Sequence, residues 1–152
     1  MSEKKELEVS AIQNGTVIDH IPAAVTFKVV QLLDLYDYDG AITIGSNLTS
    51  KTLGRKGIIK VADKYFDDDV IDRLAVIASG VTVNVIRDYQ IVEKKYVKMP
   101  QVIRGVVRCS NPKCVTNHQP VPTKMELFDS EQKTLRCVYC ERVMQPDEIE
   151  LL

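Results

Sequence analysis

The feature that most constrains this chain is the placement of its four cysteines. Cys109 and Cys114 are separated by four residues, Cys137 and Cys140 by two, and the first 108 residues contain none. Two close pairs on separate loops can bring four thiolates to the corners of a tetrahedron, and four sulfur ligands without a redox demand favour zinc. Asn111-Pro112 inside the first pair and Val138-Tyr139 inside the second suit tight knuckles. Two other readings compete. A disulfide pair conflicts with a reducing cytoplasm, and a redox Cys-x-x-Cys leaves the other pair unexplained. With sulfur at all four places no position stays open for an activated water, so the ion is expected to be structural. His118, four residues after Cys114, finds no vacancy in such a set.

The segment around these cysteines has a thin apolar stock: Val102, Ile103, Val106, Val107, Val121, Met125, Leu127, Phe128, Leu135, Val143 and Ile149. Metal binding, with an apparent ~10–16 kcal/mol in small zinc peptides, is expected to make it fold. The charged run Glu93 to Lys98 followed by Met99-Pro100 marks a strand end passing into a linker. Two domains are therefore expected, 1–100 and 101–152.

Charge narrows the partners. The 152 residues hold 20 Lys plus Arg against 21 Asp plus Glu. Before Pro100 there are 13 basic and 14 acidic residues, and after it 7 of each, so neither half carries a nucleic-acid footprint. The longest uncharged stretch, Leu74 to Ile86, is thirteen residues, short of the ~20 needed to span a bilayer. The start, MSEKKELEV, lacks the apolar core of a secretory signal, so a cytoplasmic chain with no membrane span is expected.

Leu7, Val9 and Ala11 alternate with polar positions ahead of Asn14-Gly15, which predicts a first strand. Val25, Val29, Leu32, Leu33 and Tyr36 recur at helical spacing after Pro22, predicting a helix over Ala23 to Leu35. Ala41 to Gly45 reads as a second strand, and after the polar stretch Asn47 to Lys56 comes a third at Ile58, Ile59 and Val61. Asp67-Asp68-Asp69 ahead of Val70, Ile71, Leu74, Ile77 and Ala78, with Gly80 beyond, predicts a capped amphipathic helix. Val81 to Arg87 and Tyr89 to Val92 complete a hairpin. The order β-α-β-β-α-β with an added strand is the ferredoxin-like arrangement, an antiparallel sheet with two helices on one face. The fold class expected is α+β: this domain, then a small β-rich zinc domain.

Within the first domain Asp19-His20 stands at a strand exit, and Lys56, Lys60 and Lys94 lie near strand ends. Asp19 would accept from ribose hydroxyls, while Lys60, Lys94 and a protonated His20 would face phosphates as point charges. No Walker A loop and no GxGxxG is present, so side chains and strand-edge backbone would hold any nucleotide, for binding and not for phosphoryl transfer. A catalytic Asp19-His20 dyad lacks a nucleophile, and adjacent residues on an extended chain point oppositely. The rival to a nucleotide-binding reading is a zinc-ribbon module for nucleic acid or protein. Its binding face would need more than Phe128 and Tyr139 as aromatics.

The motifs GTVIDHIP (Gly15 to Pro22), ITIGSNL (Ile42 to Leu48), GRKGIIK (Gly54 to Lys60) and TVNVIRDY (Thr82 to Tyr89), together with the cysteine set, make the chain resemble the regulatory chains of aspartate carbamoyltransferase nearly end to end. The resemblance implies a non-catalytic subunit of pyrimidine biosynthesis. It implies an N-terminal allosteric domain that pairs with a second regulatory chain, and a C-terminal zinc domain that docks on the catalytic chain. Two catalytic trimers would be joined by three regulatory dimers, with CTP and ATP competing for one effector pocket. Carried over, Asp19 and Lys60 would serve the ribose, and His20 and Lys94 the phosphates. Val9, Ala11, Ile12, Val17, Asn84, Ile86, Tyr89 and Ile91 would form the base site and pocket wall, and Lys56 would lie near the phosphates or a second nucleotide. Ser10 stands where the family often has an acidic residue, and Ile91 where valine is common.

Overall fold

In the run Gly15-Thr16-Val17-Ile18 every residue is buried, so its backbone must be satisfied by strands on both sides. The computed structural model of the chain, which describes residues 11–51 and 54–152, places this run in β1 (Gly15–Pro22) at the centre of a five-stranded sheet. The others are β2 (Ile42–Ser50), β3 (Gly54–Ala62), β4 (Thr82–Arg87) and β5 (Gln90–Tyr96). Their order, β2-β3-β1-β4-β5 with all pairs antiparallel, is the split βαβ arrangement with one strand added beside β4.

The strand expected over Leu7 to Ala11 lies largely outside the described residues, and Ala11–Asn14 carry no strand. The first helix is also shorter than its periodicity predicts: a 3₁₀ turn over Ala23–Val25, then α1 over Thr26–Leu32. Asp34 takes a left-handed conformation (φ 55°). The Leu35 N–H donates back to the Val30 carbonyl and the Asp34 N–H to that of Gln31. This is a Schellman closure, and it leaves Tyr36 outside the helix and exposed. The second helix, α2 (Asp68–Ile77), starts where the acidic triplet predicts, with Asp67 Oδ1 accepting from the Val70 N–H at 3.1 Å.

Register decides which side chains share a face. Ile18, Ile59 and Val83 are direct partners across β1, β3 and β4 and are fully or nearly buried, on the same side as the core residues Val29, Val30, Leu33 and Leu74. At Gly57 a Cβ would overlap Thr26 Oγ1, so the missing side chain is what lets α1 approach β3 closely. The opposite face carries the residues between them: Val17, Asp19, Lys60, Asn84 and Lys94. The hairpin β4–β5 turns on Asp88 and Tyr89, both at positive φ (52° and 66°), the type I′ geometry that matches strand twist.

The chain divides into two compact units, one of residues up to 74 plus Ala78–Lys98, the other of Ala75–Ile77 plus Met99–Leu152. In the second, β6 (Val102–Arg104), β8 (Lys124–Asp129), β9 (Thr134–Cys137) and β10 (Val143–Met144) form a four-stranded antiparallel sheet, and β7 (Val107–Arg108) pairs with β11 (Glu150–Leu151). Its inner face is Ile103, Met125, Leu135 and Met144 packed with the cysteines. Two residues expected in this core are on the outside: Val102 and Phe128 are 41% and 59% exposed. Val102 belongs to the outer row Val102–Glu126–Arg136, and Phe128 sits at a register shift beside the Arg136 guanidinium, 6.0 Å from its ring centre. Among the described residues no helix is long and apolar enough to cross a membrane.

Candidate functional sites: a four-thiol cluster and a cationic sheet face

The sulfurs of Cys109, Cys114, Cys137 and Cys140 all lie within 4.8 Å of one another. Cys109 to Cys140 is 3.5 Å and Cys114 to Cys137 is 3.8 Å. Zinc–sulfur bonds of about 2.3 Å put tetrahedral sulfurs about 3.8 Å apart, so the four residues fit a tetrathiolate ion with sulfur shifts of about 1 Å or less. All four cysteines are free, and Cys140 is the least buried.

Each pair is shaped by its own loop. In Cys137–Cys140 the Tyr139 and Cys140 N–H groups donate to the Cys137 sulfur, and the Arg142 N–H to that of Cys140. Glu141, in the left-handed region (φ 65°), turns the chain, with its N–H on the Cys137 carbonyl at 2.8 Å. In Cys109–Cys114 the Asn111 N–H donates to the Cys109 sulfur. Burial pushes the Cys109 thiol up to about 12, and burial likewise raises Cys137. Burial also opposes ionisation of Cys140, but the Arg142 N–H, Asn111 and the neighbouring thiols outweigh it and bring that thiol to about 7. One sulfur is thus ready to ionise, and a cation would have to displace protons from the others. The His118 ring is turned away from the cluster, its Nε2 donating to the Pro112 carbonyl at 2.6 Å.

The second site lies on the open face of the five-stranded sheet. Lys60, Val17, Asn84 and Lys94 are direct partners across β3, β1, β4 and β5, so one row carries an ammonium at each end. Beside it Asp19 pairs with Thr82, and the Lys56 ammonium sits 2.8 Å from Asp19 Oδ1. Burial raises the Asp19 carboxyl, yet the bonds from Lys56 and the His20 N–H outweigh it and hold it below the ordinary value. Lys60 is lowered chiefly by burial and secondarily by the Lys56 charge, with Asp19 opposing. Asn84 Oδ1 is buried and has no hydrogen-bond partner among the described residues. Such an acceptor costs about 1–3 kcal/mol until a donor meets it.

Strict alternation would turn His20 away from Asp19, and here the expectation fails. His20 is at φ 60° in a bulge that shifts the β1–β3 register between Ile18 and Ile21. Its Nδ1 lies 3.2 Å from Thr82 Oγ1, on the face that Asp19 shares. Val17, Ile58 and Ile86 form an apolar patch there, with Ile12 and Leu48 packed against it. Ile91 pairs with Ile86, and the Tyr89 N–H donates to the Gln13 carbonyl at 2.8 Å, which ties the β4–β5 turn to the segment holding Ala11 and Ile12. Val9 and Ser10 lie outside the described residues. Three residues of this face escape the sequence reading: Ile58, Leu48 and Thr82. Ile58 was legible in principle, because it stands two residues from both Lys56 and Lys60 on one strand.

Polar and charged groups ring an apolar patch on the open face, and a separate cluster is set up for a metal. Comparison with known proteins gives both a family. Residues 7–98 match the aspartate carbamoyltransferase regulatory chain, allosteric domain, and residues 101–150 match the metal binding domain of the same chain. The chain is similar to the aspartate carbamoyltransferase regulatory chains of Phocaeicola vulgatus (54% identical over 153 residues, 100% of this chain and 99% of the relative), Porphyromonas gingivalis (53% over 150 residues, 99% of each) and Pyrococcus abyssi (47% over 146 residues, 95% of this chain and 96% of the relative). The chain therefore belongs to the family of aspartate carbamoyltransferase regulatory chains, non-catalytic subunits with an allosteric and a metal-binding domain.

Proposed function

We propose that the open face of the first domain binds nucleoside triphosphates, with CTP and ATP competing for it, and that the metal domain passes the effect to catalytic chains of aspartate carbamoyltransferase. This would set the rate of an early step of pyrimidine biosynthesis. The observation that carries the reading is the row Lys60–Val17–Asn84–Lys94 with its orphaned Asn84 oxygen, flanked by Asp19 and the apolar patch. The patch suits a base, the Asp19 carboxylate a ribose hydroxyl, and the ammoniums with His20 the phosphates. Lys56, which neutralises Asp19, would sit at the phosphate end or against a second nucleotide.

The ion of the second domain is zinc, held by Cys109, Cys114, Cys137 and Cys140, one per chain. When bound it supplies a covalent-strength crosslink between two loops and no reaction chemistry, because all four positions are sulfur. The domain then offers a fixed surface to the catalytic chain. Pairing of two regulatory chains is supported by β2, an edge strand that carries Ile44 at 39% exposure, a ready template for a second copy. Three such dimers joining two catalytic trimers is the assembly proposed.

A nucleotide alters catalysis only through different affinity for two quaternary states, and couplings of about 1–3 kcal/mol are typical. Displacement calorimetry tests the site: CTP is expected to bind the full chain, and prior saturation with ATP to abolish its heat. Independent, additive binding of the two, or no binding of either, would overturn the reading.

A further inference from the structure

The two cysteine loops differ in how they hold their shape. Cys137–Cys140 is a short knuckle closed by its own backbone, with three N–H groups directed at its two sulfurs. Cys109–Cys114 encloses four residues, twice as many; the Asn111 N–H is directed at Cys109, and inside the loop the Cys114 N–H donates to the Asn111 carbonyl and the Lys113 N–H to Asn111 Oδ1, both at 3.0 Å. A longer loop costs more entropy to close, so support from outside it helps keep its two sulfurs in register.

That support comes from the residues just after it. A 3₁₀ turn over Val115–Asn117 folds back on the loop. The Asn117 carboxamide nitrogen donates to the Cys109 carbonyl at 3.0 Å and to the Asn111 carbonyl at 2.8 Å. One side chain thus spans the start and middle of the loop with both of its N–H groups. The Thr116 hydroxyl lies 3.2 Å from the Cys114 sulfur. A metal-bound thiolate has no proton to give, so in the loaded site the hydroxyl is the donor and the sulfur the acceptor.

We propose that Thr116 and Asn117 are positioning residues of the metal centre: Asn117 holds the Cys109–Cys114 loop in its binding shape, and Thr116 orients and electronically tunes the Cys114 thiolate. The proposal rests on the four-cysteine cluster holding zinc. Partners of this kind, one shell out from the ligands, typically contribute about 10- to 100-fold in metal affinity. A hydrogen bond to a thiolate also withdraws electron density from sulfur, which shifts sulfur-to-metal charge transfer to higher energy. Removing it should shift the band the other way.

The experiment uses the full chain loaded with Zn2+ or with Co2+ as a spectroscopic probe. Thr116→Val is expected to move the thiolate-to-cobalt charge-transfer band to lower energy, and Thr116→Ser to restore it. Asn117→Ala is expected to release Zn2+ to a chromophoric chelator at least about tenfold faster than wild type, with the circular dichroism of the zinc-loaded variant, matched to that of loaded wild type, as the control for folding. Stoichiometric metal and a normal band in wild type, with Thr116→Val and Asn117→Ala indistinguishable from it, would overturn the clamp alone. A wild-type chain that shows no thiolate-to-cobalt band would overturn the four-cysteine reading and the clamp with it.

Discussion

Removing the ammonium at either end of the row Lys60–Val17–Asn84–Lys94 should weaken triphosphate binding by a predictable amount. Neighbouring strands are about 4.8 Å apart, so the three steps from Lys60 on β3 to Lys94 on β5 span about 14 Å, room for a nucleotide laid across β1 and β4. A hydrogen bond with a charged partner contributes about 1.5–3 kcal/mol, and each 1.4 kcal/mol is about a factor of ten in affinity. Lys94→Ala and Lys60→Ala are therefore each expected to raise the dissociation constant about 10- to 150-fold. The exposed Lys94 competes with water and belongs at the low end, the half-buried Lys60 at the high end. Calorimetric titration of the full chain with CTP at low and physiological salt measures both constants. Wild type should lose more affinity with added salt than either variant, because screening acts on the charges the variants lack. Unchanged affinity in both variants would refute the placement of the nucleotide on this row.

Two further substitutions test the surrounding structure. In Lys56→Met the Asp19 carboxylate, whose side chain is 21% exposed, loses its 2.8 Å partner. The cost falls between that of a surface pair and a buried one, about 1–2 kcal/mol near neutral pH. Because the folded Asp19 pKa lies below its ordinary 3.8 in wild type, the pair's contribution is complete above that pH and is lost as pH falls through the folded value. Urea unfolding should thus show a gap between variant and wild type that closes in acid, and a pH-independent gap would contradict the assignment. Gly57→Ala places a methyl against Thr26 Oγ1 and should destabilise the first domain by about 1–3 kcal/mol; an unchanged melting temperature would show that α1 and β3 do not approach as described.

What could be read from the residues depended on how local the cause was. The four cysteines and the Asp67 cap are local signals, and the thiols do converge while Asp67 does receive the Val70 N–H. β1 was illegible because a central strand with an apolar patch on its open face buries Gly15 through Ile18 alike and shows no alternation. The edge strand β2 and the start of its neighbour β3 run through a polar stretch that reads as loop, since an exposed side asks for no apolar residue. His20 illustrates the same limit within a site: its direction depends on a bulge that only pairing with β3 and β4 reveals. Phe128 and Val102 are apolar, yet their faces follow from register, which composition does not carry.

Metal removal tests the division of labour between the two domains most directly. The full chain is stripped with a chelator and compared with the loaded chain by sedimentation with catalytic trimers and by CTP calorimetry on the same preparation. The account predicts that the stripped chain still binds CTP but no longer sediments with the trimers, and that zinc restores assembly. Retained assembly by a metal-free chain whose second domain is spectroscopically unfolded would contradict it.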